Sequence, residues 1–325
     1  MLYSGSGLQL VGSKDGIEWD TASVVRLAAM HSDTSNSLVF DETRGEYVLY
    51  CRAKHIYRVG GEVDKGDILQ TGESRRVAYM ASPELWQQWN AQPQNILLPD
   101  ELDARSSFTA FYGITAARYA GIYWGFLQPF TWNTTIHSQL GFSRDGIDFQ
   151  RLPTRPNFIE LGADGEWDDT MLFMGHGWVE VGDEWWLYYR GWDDTHGGDD
   201  LKTGKFTWGR IGLATVRKER FVSLRGPQDG GVVATRRIQW PGGDLVINAD
   251  ASQGELRVRV SDELRKGIPG FEYADGDTFT GDGVNHVVRW RNKSMDSLRG
   301  RNIRLEFFLK KADLFTFRAS GVEKR

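Results

Sequence analysis

A short turn motif recurs through the first two thirds of this 325-residue chain and sets the spacing of everything around it. It reads Ser13-Lys14-Asp15-Gly16-Ile17-Glu18-Trp19 and returns as Ser143-Arg144-Asp145-Gly146-Ile147-Asp148-Phe149. Looser copies are Ala81-Ser82-Pro83-Glu84-Leu85-Trp86-Gln87-Gln88-Trp89 and Ala214-Thr215-Val216-Arg217-Lys218-Glu219-Arg220-Phe221. The Asp-Gly pairs provide the positive φ that a tight hairpin demands. The serines of the first three copies are 69 and 61 residues apart, and the last copy follows about 70 later.

Between the turns, β-branched and aromatic residues alternate with polar ones, as in Tyr47-Val48-Leu49-Tyr50-Cys51, Gly121 to Phe126 and Glu184 to Tyr189. Such runs read as strands, and long helical patterns are scarce, so helix is expected below about 10%. Units of roughly 60–70 residues with about four strands are too long for a solenoid repeat and suit β-propeller blades with long loops. The spacing predicts three complete blades at about 33–90, 103–152 and 168–225, with residues 1–20 supplying only outer strands of another. The fold expected is all-β, an N-terminally incomplete propeller with a wet edge beside the gap.

The last hundred residues have no such repeat. Charge and tryptophan change at Gly226-Pro227-Gln228-Asp229-Gly230-Gly231, a turn-rich linker. Residues 1–225 carry 22 Lys and Arg against 30 Asp and Glu, whereas residues 226–325 carry 17 against 14; eleven of the thirteen tryptophans precede the linker. Two domains, 1–225 and 226–325, follow. About seven short strands in the second, with Glu255 to Val260 alternating cleanly, predict a small β-sandwich that acts as a buttress.

Several function classes are disfavoured. A net charge of −5 argues against non-specific nucleic-acid binding. No run of about 18 apolar residues is present to span a membrane. The single Cys51 cannot form an intramolecular disulfide or a cysteine zinc site. Phosphate loops, dinucleotide fingerprints and serine-hydrolase elbows are absent. Met1 to Gly5 lacks a signal-peptide pattern, and secretion or export to a periplasm would follow only from an upstream segment.

Taken in order, the Ser-[Lys/Arg]-Asp-Gly-Ile-[Glu/Asp]-[Trp/Phe] turns, Ser32-Asp33-Thr34-Ser35-Asn36, Phe111-Tyr112-Gly113 after an acidic loop, and Glu184-Trp185-Trp186-Leu187-Tyr188-Tyr189 resemble the five-bladed propeller glycosidases around glycoside hydrolase families 32 and 43. The resemblance runs over nearly the whole chain. It implies a glycosidase with a carbohydrate substrate, and a sandwich beside the propeller as in family 32. In that family the nucleophile lies in the first blade, so the missing blade puts its equivalent in question.

Candidate chemistry follows from the blade period. Asp33, Asp103, and Asp168 with Asp169 each precede an inner-strand pattern, at spacings of 70 and about 65 residues. Acids at equivalent blade positions would converge on one axis, as a glycosidase requires for its base or nucleophile, its acid and a tuning carboxylate. Turn capping is the structural alternative for each, and it is the reading adopted for Asp15 and Asp145. Asp33 is the first choice for nucleophile or base, Asp103 for orienting substrate or tuning a neighbour, and Glu166 or Asp168 for the acid, with Trp167 placed to desolvate Glu166. Arg52, Tyr112, His176, Arg190 and His196 are expected to bind substrate. His31 stands near Asp33, while Trp124, Trp132, Trp167, Trp178 and Trp192 offer sugar-stacking faces if exposed.

No cofactor is expected. The resemblance leaves room for a structural Ca²⁺ on the propeller axis, but the acidic loop 193–200 lacks a periodic calcium-ligand pattern, and no zinc spacing is present. The alternatives to an enzyme are a non-catalytic carbohydrate-binding propeller or an inactive fragment. Sugar, linkage, stereochemistry and oligomeric state are not encoded legibly.

Overall fold

The computed structural model describes residues 1–5, 7–30, 32–52, 58–59, 62–63, 75–106, 110–131, 134–196, 208–291 and 293–321. Expectations placed on His31, Phe108, Trp132 and residues 197–200 lie outside these. The chain is all-β: among the described residues strands dominate, and helix is confined to two short segments, Glu101–Arg105 and Met295–Leu298. It divides into two compact units, one of residues 1–178 and 187–214, the other of residues 179–186 and 215–324.

The first unit is a succession of antiparallel sheets of propeller-blade type. Strands β1 (Leu2–Gly5), β2 (Gly7–Ser13) and β3 (Trp19–Ala28) form a three-stranded meander. Strands β4 (Ser37–Asp41) and β5 (Glu46–Cys51) begin the next sheet. After the two-residue strands β6 (Arg58–Val59) and β7 (Glu62–Val63), it is completed by β8 (Val77–Ser82) and β9 (Gln94–Leu97). The short helix α1 (Glu101–Arg105) leads to the third sheet, β10 (Ala110–Tyr119), β11 (Ile122–Phe130), β12 (Gln139–Ser143) and β13 (Gln150–Arg151). A fourth sheet, of β14 (Met171–Met174), β15 (Val179–Val181), β16 (Glu184–Trp192) and β17 (Arg210–Arg217), has β14, β16 from Leu187 on and β17 up to Ala214 in this unit, while β15 and the residues it pairs with, Glu184 to Trp186, belong to the second. The third and fourth sheets fall within the ranges predicted from the repeat, whereas the second runs past residue 90, its last strand being Gln94–Leu97. The first extends to Ala28, so its third strand lies largely beyond the segment expected from residues 1–20.

Apolar alternation packs consecutive sheets face to face. Leu8, Leu27, Leu49 and Met80 join the first sheet to the second. Val48, Tyr50, Ile114 and Tyr123 join the second to the third. Ala110, Phe130, Ile136 and Met171 bring the third against β14. Hydrogen bonds between the first strands locate their convergence. Ser37 Oγ on β4 accepts from the Ala116 amide on β10 at 3.0 Å, and Thr115 Oγ1 donates to Met174 O on β14 at 3.5 Å. Residues some 60 and 80 positions apart in sequence thereby share one line.

The Asp-Gly turns behave as capping elements. Asp15 Oδ1 accepts from the Ile17 and Glu18 amides at 2.8 and 2.9 Å, and Asp145 Oδ1 does the same for Ile147 and Asp148 at 2.9 Å each. Gly16 and Gly146 adopt φ of +76° and +75°, where a side chain would be strained.

The second unit has its own core between two sheets. One sheet has the order β18 (Leu224–Arg225), β25 (Asp313–Ala319), β21 (Leu245–Asp250), β23 (Asp282–Val287). The other joins β19 (Gly231–Ala234), β20 (Ile238–Gln239) and β22 (Glu255–Ser261) to a central β24 (Asn302–Lys310). Trp240, Ile247, Val258, Trp290, Leu305 and Phe307 fill the space between them.

Glu306 of β24 points away from that core and is 1% exposed, covered by arginines that themselves reach water. Ser261 Oγ donates to it at 2.7 Å, Arg259 at 3.0 Å and Arg265 at 2.9 Å. Burial opposes its ionisation, but the bonds from Arg265, Ser261 and Arg259 outweigh it and hold the carboxyl down at about 2. A depressed carboxyl pKa stabilises the fold above the unfolded value of about 4.3, and that contribution is lost as pH falls toward 2. The melting temperature of the wild type should therefore fall more steeply between pH 4.5 and 2 than that of Glu306→Gln. Parallel pH profiles of the two would show that the arginines are not held by this carboxylate.

Candidate functional site

Where β4, β10 and β14 converge, the first unit carries a cavity of about 680 Å³. The loop Asp33-Thr34-Ser35 forms one wall, Tyr112 of β10 another, and Met171, Phe173, Met174 and Gly175 a third. The second half of β16 adds Tyr188, Tyr189, Arg190 and Trp192, and the loop after it adds Asp194, Thr195 and His196.

The 32–36 loop is held by its own polar side chains. Ser32 Oγ donates to Asn36 Oδ1 at 2.5 Å, and Asn36 Nδ2 donates to the Ser32 and Thr34 carbonyls at 3.1 and 3.0 Å. Thr34 Oγ1 donates to Tyr112 O at 2.5 Å, which fixes the loop against β10. Gly113 is required there, because a Cβ would stand 2.5 Å from that hydroxyl. Asp33 is thus presented to the cavity on a braced loop. Its carboxylate pairs with Arg52, whose side chain is 2% exposed while that of Asp33 is 46% exposed. Arg52 also lies 5.3 Å from the centre of the Tyr112 ring, as does Arg75.

His196 closes the same corner. Its amide donates to Thr134 O at 3.1 Å, and its Nε2 lies 3.4 Å from Tyr112 Oη. Burial, reinforced by the charges of Arg75 and Arg52, pushes its pKa down to about 4. The imidazole is therefore neutral at physiological pH and can exchange hydrogen bonds with a hydroxyl. Arg190 spreads its guanidinium over Trp192 at 4.3 Å. His176 is partly exposed, but its ring lies close enough to protein for desolvation to lower its pKa, and Nδ1 sits 3.3 Å from Ser37 Oγ on the convergence line.

Asp168 stands one hydrogen bond behind the cavity wall. Tyr189 Oη, whose side chain lines the cavity, donates to Asp168 Oδ2 at 2.7 Å. Burial and this bond push the Tyr189 pKa up to about 12. Trp167 stacks on Tyr189 at 5.7 Å, and Gly191 leaves the space Asp168 occupies, since a Cβ there would stand 2.4 Å from Asp168 Cβ. Asp169 accepts from the Gly165 amide and from Thr170 Oγ1, tying the 163–169 turn. Glu166 is exposed on that turn.

Asp103 departs from the expected convergence on the cavity. It is fully buried at the third position of α1 and does not line the cavity. Arg151 donates to both its oxygens, at 2.8 and 2.7 Å, and the Asp100 amide donates to Oδ2 at 2.9 Å. The physical reason is local. Asp100 and Asp103 form a capping box, which turns the Asp103 side chain back over the helix start and toward Arg151. Arg151 in turn lies over Phe111, the neighbour of Tyr112.

Of the sequence-predicted residues, Asp33, Tyr112, Arg190 and His196 meet in the cavity, with Arg52 directly behind Asp33. Reasoning from sequence passed over Asp194, Tyr188, Tyr189 and Phe173 as lining groups. Phe173 and the tyrosines alternate along strands already recognised, so strand register was the available signal. Among the tryptophans proposed as stacking faces, Trp192 lines the cavity, whereas Trp178 packs on Tyr119 and Phe126. Among the described residues, no group of three or more His, Cys, Asp or Glu side chains could hold a metal ion.

The fold class is all-β with propeller-type blades. No family model matches the chain, and no curated protein matches it. Solved structures do show similarity. A glycosyl hydrolase from Bacteroides ovatus matches 51% of this chain and 47% of its own, at 14% identity and a TM-score of 0.32. A family 43 arabinoxylan arabinofuranohydrolase from Bacillus subtilis matches 97% of this chain and 74% of its own, at 11% identity and 0.36. A family 117 glycoside hydrolase from Zobellia galactanivorans matches 90% of each chain, at 13% identity and 0.40. The chain thus spans about half the length of the first of these.

Proposed function

We propose that the first unit is a glycoside hydrolase whose substrate enters the cavity at the strand convergence. The observation that carries this reading is one carboxylate, Asp33, braced by a buried arginine and facing a basin walled by Tyr112, Phe173, Tyr188, Tyr189 and Trp192. Aromatic faces suit the apolar side of a sugar ring, and a fixed carboxylate suits the anomeric centre. As the anionic partner of Arg52, Asp33 is in the form a nucleophile or base needs. It attacks the anomeric carbon itself or takes a proton from the attacking water.

The leaving oxygen needs a proton donor. In this reading it is Asp168, whose proton passes through Tyr189 Oη on the cavity wall, or Glu166 on the same turn; Asp194 joins them as a carboxylate that lines the cavity directly. Arg190, His176 and neutral His196 hold substrate hydroxyls. Asp169 keeps the 163–169 turn in place, and Asp103 acts as a positioning residue through Arg151 and Phe111. The second unit is assigned a non-catalytic, structural role as a β-sandwich.

A second reading has an observation in its favour. Asp103 is fully buried and Asp168 only 8% exposed, so few of the expected acids stand open to a ligand. A propeller that binds carbohydrate without cleaving it needs no close carboxylate pair. Release of nitrophenol from a panel of aryl furanosides and pyranosides, followed by reducing-sugar assays on oligosaccharides, separates the two. Turnover of any member supports the enzyme; binding of a sugar without turnover of any glycoside supports the second reading.

A further inference from the structure

A second cavity, of about 620 Å³, lies in the first unit between the β2–β3 hairpin and Trp86. Two tryptophans line it, Trp19 at 38% exposed and Trp86 at 51%. Gly12 is part of the wall: a Cβ there would stand 3.2 Å from Trp86 Cη2, so the bare backbone lets the indole lie close over β2. The shape is fixed independently of any ligand. The Gly12 amide donates to Ser23 Oγ at 3.0 Å, and that hydroxyl donates to Asp20 O at 2.7 Å. On the other side, Trp89 is buried, its Nε1 donating to Glu84 O and its amide to Leu27 O, each at 2.7 Å. The 84–89 segment is therefore anchored by one tryptophan while the other faces solvent.

The chain contains its own control for this hairpin. The copy at Ser143 to Phe149 makes the same Ser-Asp and Asp-amide bonds, but it is packed against the neighbouring sheet. Gly146 O accepts from Tyr50 Oη at 2.8 Å, Asp145 O accepts from Arg44 at 3.0 Å, and Phe149 is 7% exposed. In the first copy Ile17 is 81% exposed and Trp19 remains open. The turn needs no exposed aromatic, so neither its fold nor its capping explains the tryptophan pair.

We infer that this cleft is a second carbohydrate-binding site, separate from the cavity at the strand convergence, which takes a neutral oligosaccharide with one ring face laid on Trp86 or Trp19. Indole faces desolvate the apolar side of a sugar, and the rim offers both kinds of hydrogen-bonding partner that hydroxyls require. Lys14 supplies donors, and Glu18 and Asp20 supply acceptors. Two tryptophans beside Asp15, Glu18 and Asp20 also suit an organic cation, but Asp15 is engaged by the Ile17 and Glu18 amides and Lys14 shares the rim, and competition by choline distinguishes the two ligands. A site remote from the bond being broken would tether a polymeric glycan and raise its local concentration.

Affinity electrophoresis of the whole chain in gels containing arabinoxylan, mixed-linkage β-glucan or galactan tests this. The wild type should be retarded by at least one of them. Trp86→Ala and Trp19→Ala should each weaken that retardation by about tenfold, the size expected for truncating an aromatic anchor, with melting temperature unchanged. No retardation of the wild type, or retardation unaffected by either substitution, overturns the inference. So does suppression of binding by choline, or a change of oligomeric state in the variants on gel filtration, which would assign the face to a second copy of the chain. Outcomes here and at the other cavity are distinguishable. Trp86-dependent retardation of a chain that cleaves no glycoside leaves this inference standing and removes the hydrolase; hydrolysis without retardation does the reverse.

Discussion

Asp103→Ala should lower the unfolding free energy by about 3–5 kcal/mol, read as a shift of the urea midpoint at unchanged slope. The carboxylate is fully buried, and the Arg151 side chain that grips both its oxygens is 4% exposed. Removing one partner leaves a desolvated guanidinium with no replacement from solvent, the costly half of a buried ion pair. The capping box of α1 is lost with it, a further cost of about 1 kcal/mol. Small domains are stable by only about 5–15 kcal/mol, so this single change removes about a quarter of the margin or more. Asp103→Asn keeps an acceptor for the Asp100 amide and should fall between the two. A loss below about 1 kcal/mol for the alanine variant would mean that the acceptors Arg151 retains, Gln139 at 3.1 Å and the Asp100 carboxylate at 3.5 Å, compensate its charge without Asp103.

Asp33→Asn should reduce turnover by roughly 10²–10⁴-fold on whichever glycoside the panel identifies, with substrate affinity changed far less. The amide is close to isosteric, but it can neither attack an anomeric carbon nor accept a proton from water. Arg52 loses its counter-charge in this variant, so a melting curve belongs beside the kinetics. Asp33 is partly exposed and the 32–36 loop is tied by Ser32, Thr34 and Asn36, so the fold should persist. Equal turnover in wild type and variant would remove Asp33 from the chemistry. A loss confined to binding would favour the non-catalytic reading.

These two aspartates separate what could be read along the chain from what could not. Both precede an inner strand at the blade period, and on sequence grounds they are equivalent. Asp33 sits in Ser32-Asp33-Thr34-Ser35-Asn36, where Ser32 and Asn36 bond each other and leave the carboxylate outward. Asp103 sits three residues after Asp100, the spacing of a capping box, which Pro99-Asp100-Glu101-Leu102-Asp103 displays openly once a helix is considered. A strand-dominated pattern hid that five-residue helix, because its signal is one cap rather than a period.

The amino-acid sequence by itself determined the all-β class, the succession of sheets and the hairpin turns, because each depends on contacts within a few residues. Alternation of side chains fixes a strand, and Asp-Gly with a serine two residues earlier fixes a turn. It also marked the change in character after the fourth turn. Only the tertiary structure decided which acids see a cavity, since that depends on residues some 50 to 140 positions apart meeting: Asp103 with Arg151, Tyr112 with His196, Ser37 with His176. It also decided the fate of two turns built on the same Ser-x-Asp-Gly-Ile pattern. Tyr50, Tyr123 and Arg44 cover the copy at 143–149, whereas the copy at 13–19 keeps its tryptophan in water. Local chemistry sets the shape of a turn, but what packs against it is a property of the folded neighbours.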